Sequence, residues 1–351
     1  MCSPGSFGGH LGVESTLKSQ RTAILAWRSL INGHAVPQVI ETLQEFPKRS
    51  ASILDRRPRP SIYRLVGAGP SGTNIIAKRC EAARATIERQ IYETVLAYIP
   101  VDSPHCYGLA PDADERFRWL FFEDAGNELY SLDREDHHVL AGRWLGAMNV
   151  SSESLPAAAC LPDRGPGYYR ELLVSCREEI RENIESAGFS EGDAAVLRAA
   201  VSHCRVLEGE WHRVERVCDR FPRTLVHGDF AVQNARVRTG RAGTTLTVLD
   251  WEGAGWGTPA TDLAQSIGKA LSPDIPTYFS VVSSTWHGVT QADVERLALF
   301  GRMLRLICAL EWANWGFKAI NAGWYMEKMP WCERALAGWI RTALQGGSLQ
   351  L

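Results

Sequence analysis

The spacing of apolar residues predicts helices at the start of the chain. Apolar positions recur every three or four residues from Ser15 to Ile31 and again from Val36 to Phe46, which favours two helices. The preceding residues, 1 to about 12, are rich in Gly and Ser, and we expect them to be disordered. Residues 1–48 should therefore form an N-terminal extension that is partly disordered and then helical.

Shorter runs of β-branched and aromatic residues follow this extension. The predicted strands are Ala51–Leu54, Ile62–Val66, Asn74–Lys78 and Phe117–Phe122. One helix is predicted among them, from Glu81 to Tyr98, because its apolar residues recur at helical spacing. We expect the strands to form a small antiparallel sheet.

Beyond this sheet the apolar pattern becomes mainly helical. The predicted helices cover His138–Met148, Leu172–Ile184, Val196–Val217, Val294–Trp315 and Trp331–Leu344. A turn-rich region with strand-like runs, from Phe221 to Asp262, interrupts the series. The second part of the chain should therefore be a helical body that carries a small β-structured insert.

The composition is that of a folded protein with two lobes. A chain of 351 residues is too long for one compact core and is long enough for two lobes. Its content of 45% hydrophobic and 22% charged residues is that of a globular protein. A net charge of -2 gives no reason to expect nucleic acid as a partner. No apolar run could span a membrane and the N-terminus lacks a secretory signal, so we expect a cytoplasmic protein without membrane contact. The nine scattered cysteines are expected to be reduced and buried.

The region from Phe221 to Asp262 carries the most informative chemistry. It contains His227-Gly228-Asp229-Phe230, with Asn234 five residues after Asp229, and later Asp250-Trp251-Glu252. Phosphoryl transfer needs a carboxylate at the attacking hydroxyl, oxygen ligands for magnesium and a rigid loop that fixes both. The five-residue gap is that of the catalytic loop of protein kinases, in which the Asp meets the hydroxyl and the Asn holds a metal ion.

The segment between Asn234 and Asp250 predicts a β-hairpin. Glycines and short polar residues at Thr239–Gly243 fit its turn, and the β-type run Leu246–Leu249 follows. A hairpin would bring Asn234 and Asp250 to the same end. Both side chains offer oxygen atoms, which magnesium prefers as ligands.

These residues resemble the signature of a known family. His227–Phe230 with Asn234, Asp250–Glu252 and Pro259–Asp262 look like the motifs of the aminoglycoside phosphotransferase and choline kinase family of small-molecule kinases. The resemblance is close over roughly forty residues and looser from about 65 to 265. It implies an α+β, two-lobed protein-kinase-like fold. A nucleotide-binding N-lobe would span residues 49–125, and a mainly helical C-lobe residues 126–351.

The resemblance also implies a reaction and its cofactors. The chain would transfer phosphate from ATP or GTP, with Mg2+, to a hydroxyl group of a small molecule. Asp229 would deprotonate that hydroxyl, while Asn234 and Asp250 would hold the metal. We expect His227 to brace the loop by hydrogen bonds, and Asp262 either to cap a following helix or to tie down the loop.

Nucleotide-binding residues follow from the same resemblance. Lys78, at the end of a predicted strand, is similar to the lysine that neutralises the nucleotide phosphates, and Glu88 on the next helix is its implied partner, with Glu93 as an alternative. The strand Phe117–Phe122 leads into a turn that is similar to the interlobe hinge. The backbone of that turn would bond the adenine edge, through Glu123, Asp124 and Ala125.

The run Gly67–Gly72 fits the phosphate-binding pattern G-x-G-x-x-G, but we interpret it as a hairpin. In kinases the glycine loop lies well before the lysine, whereas Lys78 comes only six residues after Gly72. No helix pattern follows the glycines either, as a dinucleotide site would require. The phosphate-facing loop would instead be Asp55–Ser61, with Ser61 as its last residue. The arginines of this loop either bind phosphate or are solvated.

The acceptor is predicted from charge and aromatic content. Acidic and basic residues nearly balance after Asp229, whereas a polycationic aminoglycoside would need many carboxylates. Three tryptophans lie in or beside a predicted break between helices, where their rings could stack on a ligand: Trp312, Trp315 and Trp324. Trp331 and Trp339 are expected in the core. We therefore predict a ring-bearing acceptor of low positive charge, such as a non-aminoglycoside antibiotic, with antibiotic resistance as the outcome.

Two alternatives stay open at this point. One is a metabolic kinase for an amino alcohol, a choline-like compound or a sugar. The other is a pseudokinase that binds nucleotide without turnover, although the presence of Asp229, Asn234, Asp250 and Lys78 together argues against it. A protein kinase is disfavoured, because neither Asp-Phe-Gly nor Ala-Pro-Glu follows the loop.

Overall fold

The computed structural model describes residues 9–30, 35–44, 61–156, 160–186, 188–240 and 243–345. The chain divides into two compact units. The described residues up to Ala97, together with Ser103–Asn127, form the first unit. Tyr98–Asp102 and the described residues from Glu128 onward form the second unit.

The first unit is a five-stranded antiparallel sheet with helices. Its elements are α1 (Gly9–Ser29), β1 (Val39–Gln44), β2 (Ser61–Val66), β3 (Ile75–Glu81), α2 (Ala82–Thr94), β4 (Cys106–Pro111) and β5 (Phe117–Glu123). The strand order is β1-β2-β3-β5-β4. The hairpin predicted at Gly67–Gly72 joins β2 to β3, as expected, with a short 3-10 turn at Pro70–Gly72.

Alternation along the strands decides which face each side chain occupies. Successive residues of a strand point to opposite faces. Tyr63 and Leu65 of β2 pack into one buried cluster with Trp27 of α1, whose ring centroid lies 5.1 Å from that of Phe121. Ile75 and Ala77 of β3 belong to the same cluster, so the alternate residues of that strand, Lys78 among them, lie on the opposite face of the sheet. The helix α1 therefore completes the core of this unit.

Two predictions for the N-terminal extension are wrong. The segment predicted as a helix from Val36 to Phe46 contains the edge strand β1, in which Val39 pairs antiparallel with Val66. Its apolar residues have helical spacing, but the open edge of β2 supplies hydrogen-bond partners that favour a strand. Helix α1 begins at Gly9, so residues 9–12 are helical rather than disordered. The predicted strand Ala51–Leu54 lies outside the described residues.

The second unit is mainly helical. Its elements are α3 (Glu135–Ser152), β6 (Asp163–Arg164), α4 (Pro166–Ser186), α5 (Glu191–Gly209), α6 (Trp211–Cys218), β7 (Thr224–Val226), β8 (Ala235–Gly240), β9 (Gly243–Val248), β10 (Gly255–Gly257), α7 (Ile275–Val282), α8 (Gln291–Ala319) and α9 (Ala322–Ile340). Strands β6, β10 and β7 form one small sheet, and β8 and β9 form the predicted hairpin.

Helix lengths in this unit differ from the predictions. The helix predicted from Val196 to Val217 is two helices, α5 and α6, because the backbone leaves helical geometry at Glu210 (φ -96°, ψ 11°). Helix α8 continues to Ala319, four residues beyond its predicted end at Trp315, so Trp312 and Trp315 lie within the helix and not in or beside a break. The break is confined to Ile320 and Asn321, where the Asn321 side chain accepts a hydrogen bond from Trp324 N and begins α9.

Two composition-based expectations can be compared with the described residues. No helix among them has the length and apolar character needed to cross a bilayer. The eight cysteines that the structure describes are free thiols, five of them buried, whereas Cys160 is exposed and Cys106 and Cys308 are half-buried. The expectation of uniform burial is therefore wrong for three cysteines.

Candidate active site

The catalytic loop, His227–Asn234, leaves the end of the buried strand β7. Its second residue is Gly228, with φ of 79°. A Cβ at Gly228 would lie 2.7 Å from the carbonyl oxygen of Gly253. Glycine is required at this position for two reasons. Residues with a side chain disfavour a positive φ, and the neighbouring backbone leaves no room for a Cβ atom. The loop is thus packed directly against the turn that contains Gly253.

His227 braces this loop from within the core. Its ring is fully buried, the backbone N–H of Asp229 donates to Nδ1 at 3.2 Å, and Nε2 donates to the carbonyl oxygen of Leu249 at 2.9 Å. In this arrangement Nδ1 is the acceptor of the ring and Nε2 is its donor. The ring therefore connects the catalytic loop to the strand that precedes Asp250, which matches the bracing role expected of it.

Asp262 ties down the same loop from the other side. Its buried carboxylate accepts hydrogen bonds from His227 N at 2.6 Å and from Gly228 N at 3.0 Å. Burial raises the pKa of this carboxyl group, against the opposing effects of the His227 ring and the two backbone N–H groups. Of the two roles expected for Asp262, the hydrogen bonds correspond to tying down the loop.

Three side chains hold the carboxylate of Asp229. Oδ2 accepts from Asn234 Nδ2 at 2.9 Å and from Gln233 Nε2 at 3.4 Å. Oδ1 accepts from Arg305 Nη2 at 3.3 Å, and Arg305 Nη1 also donates to Gly228 O at 3.4 Å. The side chain of Asp229 is nevertheless about half exposed, at 52%. Its orientation is therefore fixed while one side stays accessible to a ligand.

The hairpin brings Asn234 and Asp250 together, as the sequence predicted. Leu249 N donates to Asn234 O at 2.8 Å, and Ala235 pairs with Val248. Asp250 has left-handed backbone angles (φ 66°, ψ 65°), which non-glycine residues seldom adopt and which depart from the extended backbone of the preceding strand β9. The amide nitrogen of Asn234 is used on Asp229, so its oxygen remains as an acceptor.

These two oxygen donors fit a magnesium site that a nucleotide would complete. No group of three His, Cys, Asp or Glu side chains in the described part of the chain could hold a metal ion alone. Magnesium is usually bound by one or two protein carboxylates, with phosphate oxygens and water as the other ligands. Asp250 and the oxygen of Asn234 correspond to that incomplete donor set.

Lys78 and Glu88 meet in the first unit. Lys78 Nζ lies 2.7 Å from Glu88 Oε2, and the two side chains are only 6% and 1% exposed. Strand β3 supplies the lysine and helix α2 the glutamate. The rival residue, Glu93, instead pairs with Arg89 at the surface, at 2.7 Å. The structure thus brings together the lysine and glutamate that the resemblance had paired.

The remaining nucleotide-site residues occupy the first unit as well. Ser61 is buried at the start of β2, opposite Arg79, and the rest of the predicted phosphate loop, 55–60, lies outside the described residues. Glu123 ends β5, and its side chain accepts from His105 N at 3.1 Å. Asp124 accepts from Arg64 Nε at 2.7 Å, and Ala125 is buried. Their backbone role toward a base stays a prediction.

The three predicted acceptor tryptophans are only partly brought together. Trp312 is 45% exposed, and its ring meets that of Trp324 edge-on with centroids 4.6 Å apart. Gly316 makes room for this pair, since a Cβ there would lie 1.7 Å from the Trp324 ring. Trp315 contacts neither ring within the described residues, and its indole N–H is buried without a partner there.

Sequence reasoning missed Arg305. It lies 76 residues after Asp229, and in the sequence it is one of several arginines in a predicted helix. No local motif marks it, because its role depends on how α8 packs beside the catalytic loop. The spacing of Arg302, Arg305 and Trp312, three and then seven residues apart, places them on one side of α8. The sequence does not show which part of the protein that side faces, and only the fold does.

A comparison with protein families identifies one match. The model of the phosphotransferase enzyme family matches residues 59–300, which is more than half of the chain. No curated relative matches the chain.

Solved structures of small-molecule kinases share the fold. An aminoglycoside phosphotransferase in complex with GDP and kanamycin aligns with a TM-score of 0.60 and 13% identity, covering 92% of this chain and 99% of that one. Choline kinase from Cryptosporidium parvum Iowa II aligns with a TM-score of 0.58 and 12% identity, over 96% and 98%. Spectinomycin phosphotransferase with ADP and spectinomycin gives 0.54 and 11%, over 91% and 98%. The predicted protein-kinase-like α+β fold and the family resemblance are confirmed.

Proposed function

Because this chain belongs to the phosphotransferase enzyme family, and is thus a phosphotransferase that acts on a hydroxyl group of a small molecule, we propose that it uses a nucleoside triphosphate and magnesium. The observation that carries this proposal is the held carboxylate of Asp229, with Asn234 and the Asp250 turn beside it. A base must be fixed within hydrogen-bond reach of the hydroxyl it deprotonates, and Asp229 is both fixed and accessible.

Each residue then has one role. Asp229 orients the acceptor hydroxyl and takes its proton. Asn234 and Asp250 would hold magnesium, which neutralises charge on the transferring phosphate when bound. Lys78, kept in place by Glu88, would pair with the nucleotide phosphates, and the backbone at Glu123 to Ala125 would bind the base, ATP or GTP. His227 and Asp262 keep the loop rigid, because their side chains form hydrogen bonds with backbone groups of the loop and of Leu249.

For the acceptor, we propose a hydroxylated, ring-bearing molecule of low positive charge, such as a non-aminoglycoside antibiotic. Arg305 supports this class, since its guanidinium lies 3.3 Å from the carboxylate oxygen of Asp229 and would disfavour an ammonium group beside it. The exposed edge-on pair of Trp312 and Trp324 offers aromatic surface for a ring.

Steady-state kinetics would test this proposal. Purified protein is assayed with ATP and GTP, with and without magnesium, against kanamycin-like aminoglycosides, non-aminoglycoside antibiotics, choline and simple sugars. We expect magnesium-dependent transfer, with the highest kcat/KM for a ring-bearing acceptor of low charge. A higher kcat/KM for kanamycin would overturn the acceptor class. Phosphate transfer that persists in Asp229→Asn would overturn the assignment of the base.

A further inference from the structure

A cavity of about 390 Å³ lies between α8 and α9. Leu299, Arg302 and Leu306 of α8 form one wall, Trp331 and Trp339 of α9 form another, and the loop 266–268 closes one end. The volume is within the ~300–1,000 Å³ typical of small-molecule sites, which are mainly apolar with a few polar groups. The lining combines aromatic and aliphatic side chains with the hydroxyl-bearing residues Ser266 and Thr342 and a single arginine.

The cavity shares two structural elements with the catalytic loop. Arg302 precedes Arg305, which holds Asp229, by three residues, or about 4.5 Å along the helix axis. The loop that closes the cavity continues into Lys269, whose carbonyl oxygen accepts from Val232 N at 2.9 Å, and into Ala270, which bridges to Ala231. A ligand in the cavity would therefore lie beside the loop that carries the base.

Arg302 is the charged group in this cavity, and among the residues that the structure describes it has no counter-ion. No carboxylate is among the lining residues, and within the described ranges Arg302 makes neither an ion pair nor a hydrogen bond. Arg220, by contrast, pairs with Asp293 at 3.0 Å. A half-buried guanidinium gains most from an oxyanion, because its planar donors match two oxygens at once, and it repels ammonium groups.

We propose that this cavity holds the ring-bearing part of the acceptor and that Arg302 binds an oxyanion group on it, a carboxylate or a phosphate-type group. Trp331, which is 43% exposed, covers the ring, while Leu299 and Leu306 contact its other side. The inference rests on the proposed function, because it assigns the acceptor of the same reaction. It adds a specificity-determining residue and a charge sign that the aromatic residues alone do not give.

A matched series of aryl alcohols tests the charge preference. The acceptors are 4-(hydroxymethyl)benzoate, 4-(hydroxymethyl)phenylphosphonate, 4-(hydroxymethyl)benzamide and 4-(aminomethyl)benzyl alcohol, which share the ring and hydroxyl. We expect Arg302→Gln to raise KM for the two anionic acceptors by about tenfold, the effect of one charge-assisted hydrogen bond, with kcat nearly unchanged. The amide should be unaffected. The two anionic probes distinguish a carboxylate from a phosphate-type group as the preferred partner.

Three further variants sharpen the result. Arg302→Lys keeps the charge without the planar fork and should retain part of the affinity, and Arg302→Glu should favour the ammonium acceptor. Arg205→Gln, an exposed arginine on α5, is the matched control and should change nothing. If Arg302→Gln leaves the KM of both anionic acceptors unchanged, or if the ammonium acceptor is the best substrate of the wild type, the proposal is overturned.

Equilibrium binding separates this proposal from the proposed function. The anionic probes are titrated into Asp229→Asn protein with and without Arg302→Gln, where no turnover is needed. Weaker binding by about tenfold in the double variant supports the cavity even if no acceptor is phosphorylated, which would count against the function alone. Transfer to acceptors without any Arg302-dependent binding, or no measurable binding of either anionic probe at millimolar concentration, would overturn the cavity assignment.

Discussion

The catalytic loop and the exposed side of the α8–α9 pair differ in how many contacts the protein makes to their polar and aromatic side chains. At the catalytic loop, Asp229, His227 and the neighbouring Asp262 each make at least two hydrogen bonds to the protein. On the α8–α9 side, Trp312 and Trp331 are 45% and 43% exposed, and Arg302 has no partner among the described residues. The side chains of the first region are held in place by the protein, whereas those of the second are not.

The difference separates chemistry from specificity. Groups that act on a developing charge accelerate a reaction most when they are fixed beforehand, since they need no reorganisation during the step. Exposed aromatic surface and an unpaired cation, by contrast, gain free energy only when a ligand covers them. Changes in the catalytic loop should therefore alter turnover for every acceptor, and changes on the α8–α9 side should alter which acceptor is used.

The largest effect is expected for Asp229→Asn. This variant keeps side-chain size but cannot take the proton of the hydroxyl, so transfer should fall by about 10²- to 10⁴-fold for all acceptors, with nucleotide affinity unchanged. Single-turnover transfer and nucleotide titration measure the two quantities. The control is Asp133→Asn, an exposed position that should behave as wild type. Near-normal turnover in Asp229→Asn would contradict the assignment of Asp229 as the base, on which the comparison between the two regions depends.

Asp250→Ala should separate metal binding from the rest of the loop. Removing this carboxylate should weaken nucleotide binding in magnesium by at least about tenfold, because even outer-shell partners of a metal site contribute that much. Binding without magnesium should change little, and it serves as the internal control. The measurement is calorimetric titration of the nucleotide with and without the metal. Equal losses in both conditions would mean that Asp250 supports the fold rather than the metal.

Asp262→Asn tests the rigidity of the loop. An amide cannot accept from both His227 N and Gly228 N without presenting its own N–H to one of them, so the free energy of unfolding should fall by about 1–3 kcal/mol. Turnover should fall for every acceptor alike. Urea unfolding and kinetics with two acceptors measure these effects. A change confined to one acceptor would contradict the assignment of Asp262 to loop support.

The difference in stability between wild type and Asp262→Asn should depend on pH. Burial raises the pKa of Asp262 above its ordinary value of 3.8 in the folded state. The contribution of such a carboxyl to stability is full below the ordinary value and is lost as pH rises through the folded-state pKa. The stability difference between wild type and Asp262→Asn should therefore be larger near pH 4 than at pH 7. A difference that grows with pH would show that the hydrogen bonds outweigh burial.

The smallest effect is expected for Trp312→Ala. Loss of one aromatic face should raise KM for ring-bearing acceptors by about two- to tenfold, with kcat unchanged, given ~0.5–1.5 kcal/mol for an aromatic pair. Trp312→Phe keeps a ring and should remain close to wild type. Steady-state kinetics with a ring-bearing and a ringless acceptor make the test. An unchanged KM for both would remove Trp312 from the acceptor side.

The sequence by itself determined the parts that depend on local order. The five-residue gap from Asp229 to Asn234 and the hairpin to Asp250 were predictable, because the chain fixes them within about twenty residues. The pairing of Lys78 with Glu88 was implied by the family resemblance, and it too joins neighbouring elements, since strand β3 is directly followed by helix α2. In each case neighbours in sequence are neighbours in space, so residue type and spacing carry the geometry.

The tertiary structure alone decided the rest. The segment Val39–Gln44 has a helical spacing of apolar residues but forms a strand, because β2 offers an open edge to pair with. The packing of helix α8 brings Arg305 to Asp229 from 76 residues away. Such contacts depend on which elements pack together. They are set by burial of whole helix and sheet faces, which no single stretch of sequence encodes.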